Sequence, residues 1–159
     1  MKSLFISLVC ASLLLASQES DKALMQHDYK KAFRLLSKEA KSGDAEAQYN
    51  LALMYYMGDG VDQNVSMSAK LLESSAKSGF EAAKDNVGRV YMQVLEFDKA
   101  LPWLEENAKN GDVGAYYLLS EIYVEKENFK EAKKWAGKAI KAGNEDAKLL
   151  WDKYNLEKY

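Results

Sequence analysis

The stretch Ala45-Glu46-Ala47-Gln48-Tyr49-Asn50-Leu51-Ala52-Leu53-Met54-Tyr55-Tyr56-Met57-Gly58-Asp59-Gly60-Val61 decides the fold. Ala47, Leu51, Met54 and Tyr55 recur at i, i+4, i+7 and i+8, one face of an α-helix. Working outward, the same grammar returns. Gly43, Gly79, Gly111 and Gly143 each follow a helical run, at spacings of 36, 32 and 32 residues. A fixed period of this size marks an array of stacked units. Four residues after each glycine stand Ala47, Ala83, Ala115 and Ala147; eight after stand Leu51, Val87, Leu119 and Trp151. Twelve after come Tyr55, Tyr91 and Tyr123, and Asn155 breaks the series at the C-terminus.

Each unit therefore reads as helix, turn, helix, glycine turn. Glycine suits the left-handed residue that closes a helix, and Lys in the preceding turn complements the helix dipole. Small residues let paired helices approach, and Tyr, Leu and Trp fill the layer between them. The spacing predicts helices over 29–42, 45–57, 65–78, 81–93, 97–110, 113–126, 129–142 and 145–157, with Ala23 to Gln26 as the last turn of a truncated leading helix. That makes three full units with a half at each end, the last one polar as a capping element should be. The expected class is all-α, a right-handed α-solenoid of stacked antiparallel helix pairs. Pro102 falls inside the run 97–110, where an interior proline costs about 3 kcal/mol. A late helix start near Lys99 would place it in the first turn, and that start is the expectation.

The residues quoted above resemble a Sel1-like repeat, in which a Leu-(Gly/Ala)-x-x-Tyr helix ends in a Gly-x-Gly-Val loop. A second helix closing on Ala-x-x-Gly completes a 36-residue unit, as Ala76-Lys77-Ser78-Gly79 does here. The following units lack the loop, are four residues shorter, and are similar to tetratricopeptide repeats. The resemblance spans residues 29–157 and implies a scaffold that binds protein or peptide partners. In such stacks the first helix of each unit lines the partner-binding face. The residues of those helices not used for packing are Glu46, Tyr49, Leu53 and Tyr56, then Asp85, Arg89 and Met92, then Tyr117, Glu121 and Val124. Tyr and Met supply contact area at modest entropy cost. Arg89 either offers a bidentate donor to a partner carboxylate or pairs with Glu121 on the neighbouring helix.

The N-terminus reads as an address. Lys2 gives a positive start, and Leu4 to Ala16 is an almost wholly apolar run of 13 residues. A membrane-spanning helix needs about 20, whereas a secretory apolar region needs about 7–15. The expected organisation is a signal peptide at 1–17, a short segment at 18–28 and the repeat domain at 29–159, in a periplasmic or secreted protein. The lone Cys10 lies inside that signal, so the exported chain needs no thiol.

Composition narrows the chemistry. One Cys and one His among 159 residues exclude an internal disulfide and a zinc site of the usual ligand set. Charge is nearly balanced, 22 basic against 24 acidic residues, without the basic excess of a nucleic-acid binder. No phosphate-binding loop is present; Gly58-Asp59-Gly60 lacks the lysine and the preceding strand that one requires. Glu105-Glu106 and Glu125 with Glu127 read as solvated faces, and His27 as a loop residue. Ser74-Ser75-Ala76-Lys77 matches the Ser-x-x-Lys pattern of penicillin-recognising enzymes but stands without the companion segments. The sequence thus leads to a non-catalytic scaffold with no cofactor and no metal, acting on a protein or peptide partner in the cell envelope. A β-lactam-related or cell-wall enzyme on the same scaffold, or a small secreted effector, is the alternative.

Overall fold

The computed structural model describes residues 18–159. The segment expected to be a signal peptide, Cys10 included, lies outside the described residues. Among those described, all regular structure is helical: α1 (residues 18–25), α2 (Tyr29–Lys41), α3 (Ala45–Met57), α4 (Val65–Lys77), α5 (Glu81–Gln93), α6 (Phe97–Lys109), α7 (Val113–Glu125), α8 (Phe129–Lys141) and α9 (Glu145–Lys153). A single 3-10 turn, Leu156–Lys158, follows. The chain is all-α and built as a helical repeat. The last helix stops at Lys153 rather than near 157, because Asn155 takes a left-handed φ of 49° and turns the chain.

The turns explain the register. After α2, Gly43 N–H donates to the Ala40 carbonyl at 3.1 Å and Asp44 N–H to the Glu39 carbonyl at 3.3 Å. This paired closure satisfies carbonyls that the helix end leaves without partners. It recurs around Gly79, Gly111 and Gly143. The residue that completes the closure then starts the next helix. Asp44 accepts from Ala47 N–H at 2.8 Å, Asp112 from Gly114 N–H at 2.8 Å, and Asn144 from Ala147 N–H at 2.8 Å. Asp28, Asn64 and Asn128 cap α2, α4 and α8 in the same way. The turn after α3 bends through Gly58 and Gly60, and those after α1, α5 and α7 through His27, Leu95 and Glu127, which hold positive φ of 56°, 59° and 54° without being glycine.

Two compact units divide the described residues, the first ending at Lys84 and the second running from Asp85 to Tyr159. In the first, Ala32, Leu36, Ala47, Leu51 and Met54 form the core, with Phe33 and Tyr55 packed edge to face against it. Ser75 Oγ donates to the Ala45 carbonyl at 2.5 Å, tying the end of α4 to the start of α3. Gly60 carries φ +71°, and a Cβ there would lie 2.6 Å from the Tyr29 carbonyl carbon, so the Gly-x-Gly-Val loop presses on the start of α2. In the second unit, Tyr91, Leu104, Leu119 and Ile122 are essentially inaccessible. Gly88 lets α5 and α6 cross closely, since a Cβ there would meet Leu104 Cγ at 2.8 Å. Asn107 repeats the role of Ser75, donating to the Asp85 carbonyl at 3.3 Å.

The expected late start of α6 is wrong. That helix runs unbroken from Phe97 with Pro102 inside it. Ala100, Leu104, Asn107 and Ala108 are all buried, so tertiary packing holds the helical register through the proline. Pro102 and Asp98, whose carbonyl loses its donor, both lie on the exposed face, where water can solvate that carbonyl. Glu39 is a second local conflict. It is buried, Ser20 Oγ donates to its Oε2 at 2.9 Å, and Oε1 has no partner. Burial raises its pKa more than the Ser20 hydrogen bond lowers it, and Asp44 and Asp21 push the same way.

Three outcomes follow for stability, each read by urea denaturation. Pro102→Ala restores one helical hydrogen bond and gives up proline's restraint on the unfolded chain, for a net gain of about 2 kcal/mol. Asp44→Ala loses about 1 kcal/mol with its cap, and Asp112→Ala loses more, because Asp112 also holds Arg89. The folded Glu39 carboxyl binds its proton more tightly than the unfolded one, so its contribution is complete in acid and is lost as pH rises through the raised value. Glu39→Gln therefore outperforms the parent at pH 7, with the difference shrinking toward pH 4; a gap independent of pH would contradict this origin.

Candidate functional site

The residues predicted for partner binding lie on the first helix of each repeat, and each unit is described in turn. In the first unit α3 carries Glu46, exposed, and Tyr49, Leu53 and Tyr56 at i, i+4 and i+7. Those last three share one side of the helix. Tyr49 is half-buried and leans on Phe80, ring centroids 5.1 Å apart. Leu53 is exposed, as is Met57 at the end of the same helix. The patch is thus an apolar strip whose inner edge is held by an aromatic neighbour.

In the second unit α5 supplies Asp85, Arg89 and Met92, and α7 supplies Tyr117 and Glu121. Asp85 is exposed and Met92 half-buried. The Arg89 guanidinium is paired with Asp112 and lies over Gly114, where a Cβ would come within 2.7 Å of Nη1. The expected alternative pairing of Arg89 with Glu121 is therefore corrected. Asp112, fixed as the cap of α7, presents its second oxygen to Arg89, while Glu121 accepts from Tyr117 OH at 2.7 Å. Burial and the Glu121 carboxylate, with Asp146 nearby, hold the Tyr117 phenol well above its usual range, so it stays a hydrogen-bond donor. Val124, expected on the exposed stripe, is buried in the C-terminal core with Leu150 and Leu156.

A groove of about 280 Å³ opens beside Tyr117 and Glu121. Its other wall is α9, which contributes Asp146, Leu149, Leu150 and Lys153. Sequence reasoning missed this wall although the signal was present. Asp146, Leu149 and Lys153 stand three, six and ten residues after Gly143, the same offsets as Glu46, Tyr49 and Leu53 after Gly43. The loss of the tyrosine pattern at Asn155 hid the equivalence. Leu149 is strongly exposed, so the groove has an apolar contact within an acidic rim of Glu121, Glu125 and Asp146.

The other singled-out residues are placed plainly. His27 is exposed in a turn, its Nδ1 2.8 Å from Tyr29 OH. Ser74 is exposed on α4, and Lys77 donates to Glu73 at 2.7 Å. Among the described residues no group of three or more His, Cys, Asp or Glu side chains could hold a metal ion, and no helix is long and apolar enough to cross a membrane.

Comparison with known proteins agrees with this architecture. No curated protein sequence matches the chain significantly. A protective antigen present in uropathogenic Escherichia coli strains, displaying an SLR fold, is 29% identical over 79% of this chain, with a TM-score of 0.58. A Sel1 repeat protein from Oxalobacter formigenes is 22% identical over 83%, with a TM-score of 0.53. This chain spans 30% of the first protein and 56% of the second. MamA from Desulfovibrio magneticus RS-1 shares the fold at 21% identity, covering 92% of this chain and 95% of its own, with a TM-score of 0.61. The Sel1 repeat model matches residues 14–44, 45–80 and 111–144, more than half of the sequence, and the chain belongs to the Sel1 repeat family.

Proposed function

We propose that this protein is an exported, non-catalytic scaffold that engages a protein or peptide partner in the bacterial cell envelope. Sel1 repeats typically serve protein–protein interaction, which supports the binding half of the reading. The observation that carries it is the groove between α7 and α9. Tyr117, Leu149 and Leu150 offer apolar contact there, while Glu121, Glu125 and Asp146 outnumber Lys153 and make the rim negative on balance. This arrangement suits a partner segment with an apolar anchor flanked by basic residues, because aromatic and aliphatic anchors supply binding energy and rim charges orient the approach. The Tyr117 hydroxyl is already fixed by Glu121, so the wall is preorganised and little side-chain entropy is lost on binding. Export rests on the apolar 13-residue run behind Lys2.

Site-specific photo-crosslinking in intact cells tests both halves. A photoreactive side chain at Leu53, Glu121 or Leu149 should capture a discrete partner, and one at the exposed Lys130 should not. Tyr117→Ala should reduce the Glu121 adduct at least tenfold while the protein remains folded by circular dichroism. Osmotic shock should release the protein with the periplasmic fraction, or the culture medium should contain it. Retention with cytoplasmic markers overturns the export reading; absence of adducts from all three positions overturns the interaction reading.

A further inference from the structure

We propose that a second docking surface lies between α2 and α4 and accepts an acidic amphipathic helix of a partner protein. The inference rests on the reading of the chain as an interaction scaffold, but it concerns a different face. A groove of about 830 Å³ runs between these two helices, with α3 as its floor. Phe33, Tyr55, Met67 and Leu71 make it predominantly apolar. Phe33 and Tyr55 meet edge to face, 5.5 Å between centroids, so an aromatic pair already in place joins the α2 wall to the floor. Met67 remains exposed at the wall. Leu51 and Tyr55, which face this groove, lie on the side of α3 opposite Tyr49, Leu53 and Tyr56, since each residue advances about 100° around the helix.

The charge on the rim selects the occupant. Arg34, Lys38 and Lys41 line the α2 edge at i, i+4 and i+7, and Lys30 extends the row by one more turn. Among the described residues no carboxylate lies within ion-pair distance of these four side chains. The lysine just off the row, Lys31, is by contrast paired with Glu19 at 2.9 Å. A partner helix bearing carboxylates at i, i+4 and i+7 beside an apolar stripe matches both features, because the two rows have the same helical spacing. From Phe33 to Lys41 the trough follows about 12 Å of α2, a little over two helical turns. The groove is open along one side. A helix needs to bury only one stripe there, whereas a small amphiphile is bound by being enclosed over most of its surface.

The test uses the full chain and synthetic peptides followed by fluorescence anisotropy. One peptide carries Glu at i, i+4 and i+7 next to a Leu/Phe stripe; its twin carries Lys at the same places. Phosphatidylglycerol vesicles form the third arm, read by co-sedimentation. The acidic peptide should bind, and the Lys twin at least tenfold more weakly. Combined Arg34→Glu, Lys38→Glu and Lys41→Glu should weaken the acidic peptide at least tenfold, and Met67→Glu, an exposed change that spares the core, should weaken it as well. Combined Lys130→Glu, Lys141→Glu and Lys148→Glu makes the same change in net charge at residues that do not line the groove and should leave binding unaltered. Equal binding of the two peptides overturns the proposal, as does equal loss in the two triple variants. Binding of vesicles through Arg34, Lys38 and Lys41 without binding of the acidic peptide also overturns it, in favour of a lipid surface. The crosslink from Leu53 reports on the other side of α3, and those from Glu121 and Leu149 on the second unit, so failure here leaves the scaffold reading standing.

Discussion

One residue with two duties holds the repeat together. Asp44, Asp112 and Asn144 each give their backbone N–H to finish one helix and use their side-chain oxygen to begin the next. The two helices thereby meet at a fixed angle with no free residue between them. Everything else in a unit follows from that joint. It sets which positions of the next helix face inward, so Ala47, Ala115 and Ala147 fall into the same buried slot. It also sets which positions face outward, and this is why the candidate site can be counted from a glycine. Where the joint lacks a capping side chain, other contacts serve. Phe80 packs on Tyr49, and Glu96 begins α6 with no side-chain cap.

Because the core is made of repeated alanines with a few large side chains, the chemistry available is superficial. The charged and phenolic groups that interact closely do so for structural reasons or at a groove edge. Asp112 shows how the two merge: its carboxylate caps α7 and also anchors Arg89. A guanidinium already facing a carboxylate is a poor receptor for a second one, so Arg89 contributes shape and positive potential more than a ready anion site. Tyr117 and Glu121 stand differently. They are hydrogen-bonded to each other, and both line the groove beside α9.

Most of the helix limits were legible in the sequence, and the reason is local. Glycine with φ near +90° ends α2, α4, α6 and α8, and few other residues adopt that conformation easily. The turns after α1, α5 and α7 were placed by periodicity alone, since His27, Leu95 and Glu127 carry no such mark. Pro102 departs from its local rule because the packing of Ala100, Leu104 and Ala108 outweighs the penalty. Val124 departs for the opposite reason: its offset is that of an exposed stripe, but the short α9 and Leu156 close over it. The groove between α2 and α4 was not legible, because its lining comes from three helices and only folding brings Phe33 and Met67 into one trough. Arg34, Lys38 and Lys41 read in sequence as an ordinary solvated face.

The glycines of this chain look interchangeable in a repeat alignment, yet they answer to different constraints. Around Gly43, Gly79, Gly111 and Gly143 an added Cβ would meet nothing within 4 Å, so the demand there is conformational. Asparagine, which tolerates the left-handed region, is the natural substitute at those joints. Gly60 faces the main chain of Tyr29, and no side chain of any kind fits between them. The four extra residues of the first repeat are therefore a latch across two helices rather than spare length. Substitution is expected to be tolerated at the periodic glycines within a narrow palette, and excluded at Gly60, in the loop that sets the first repeat apart.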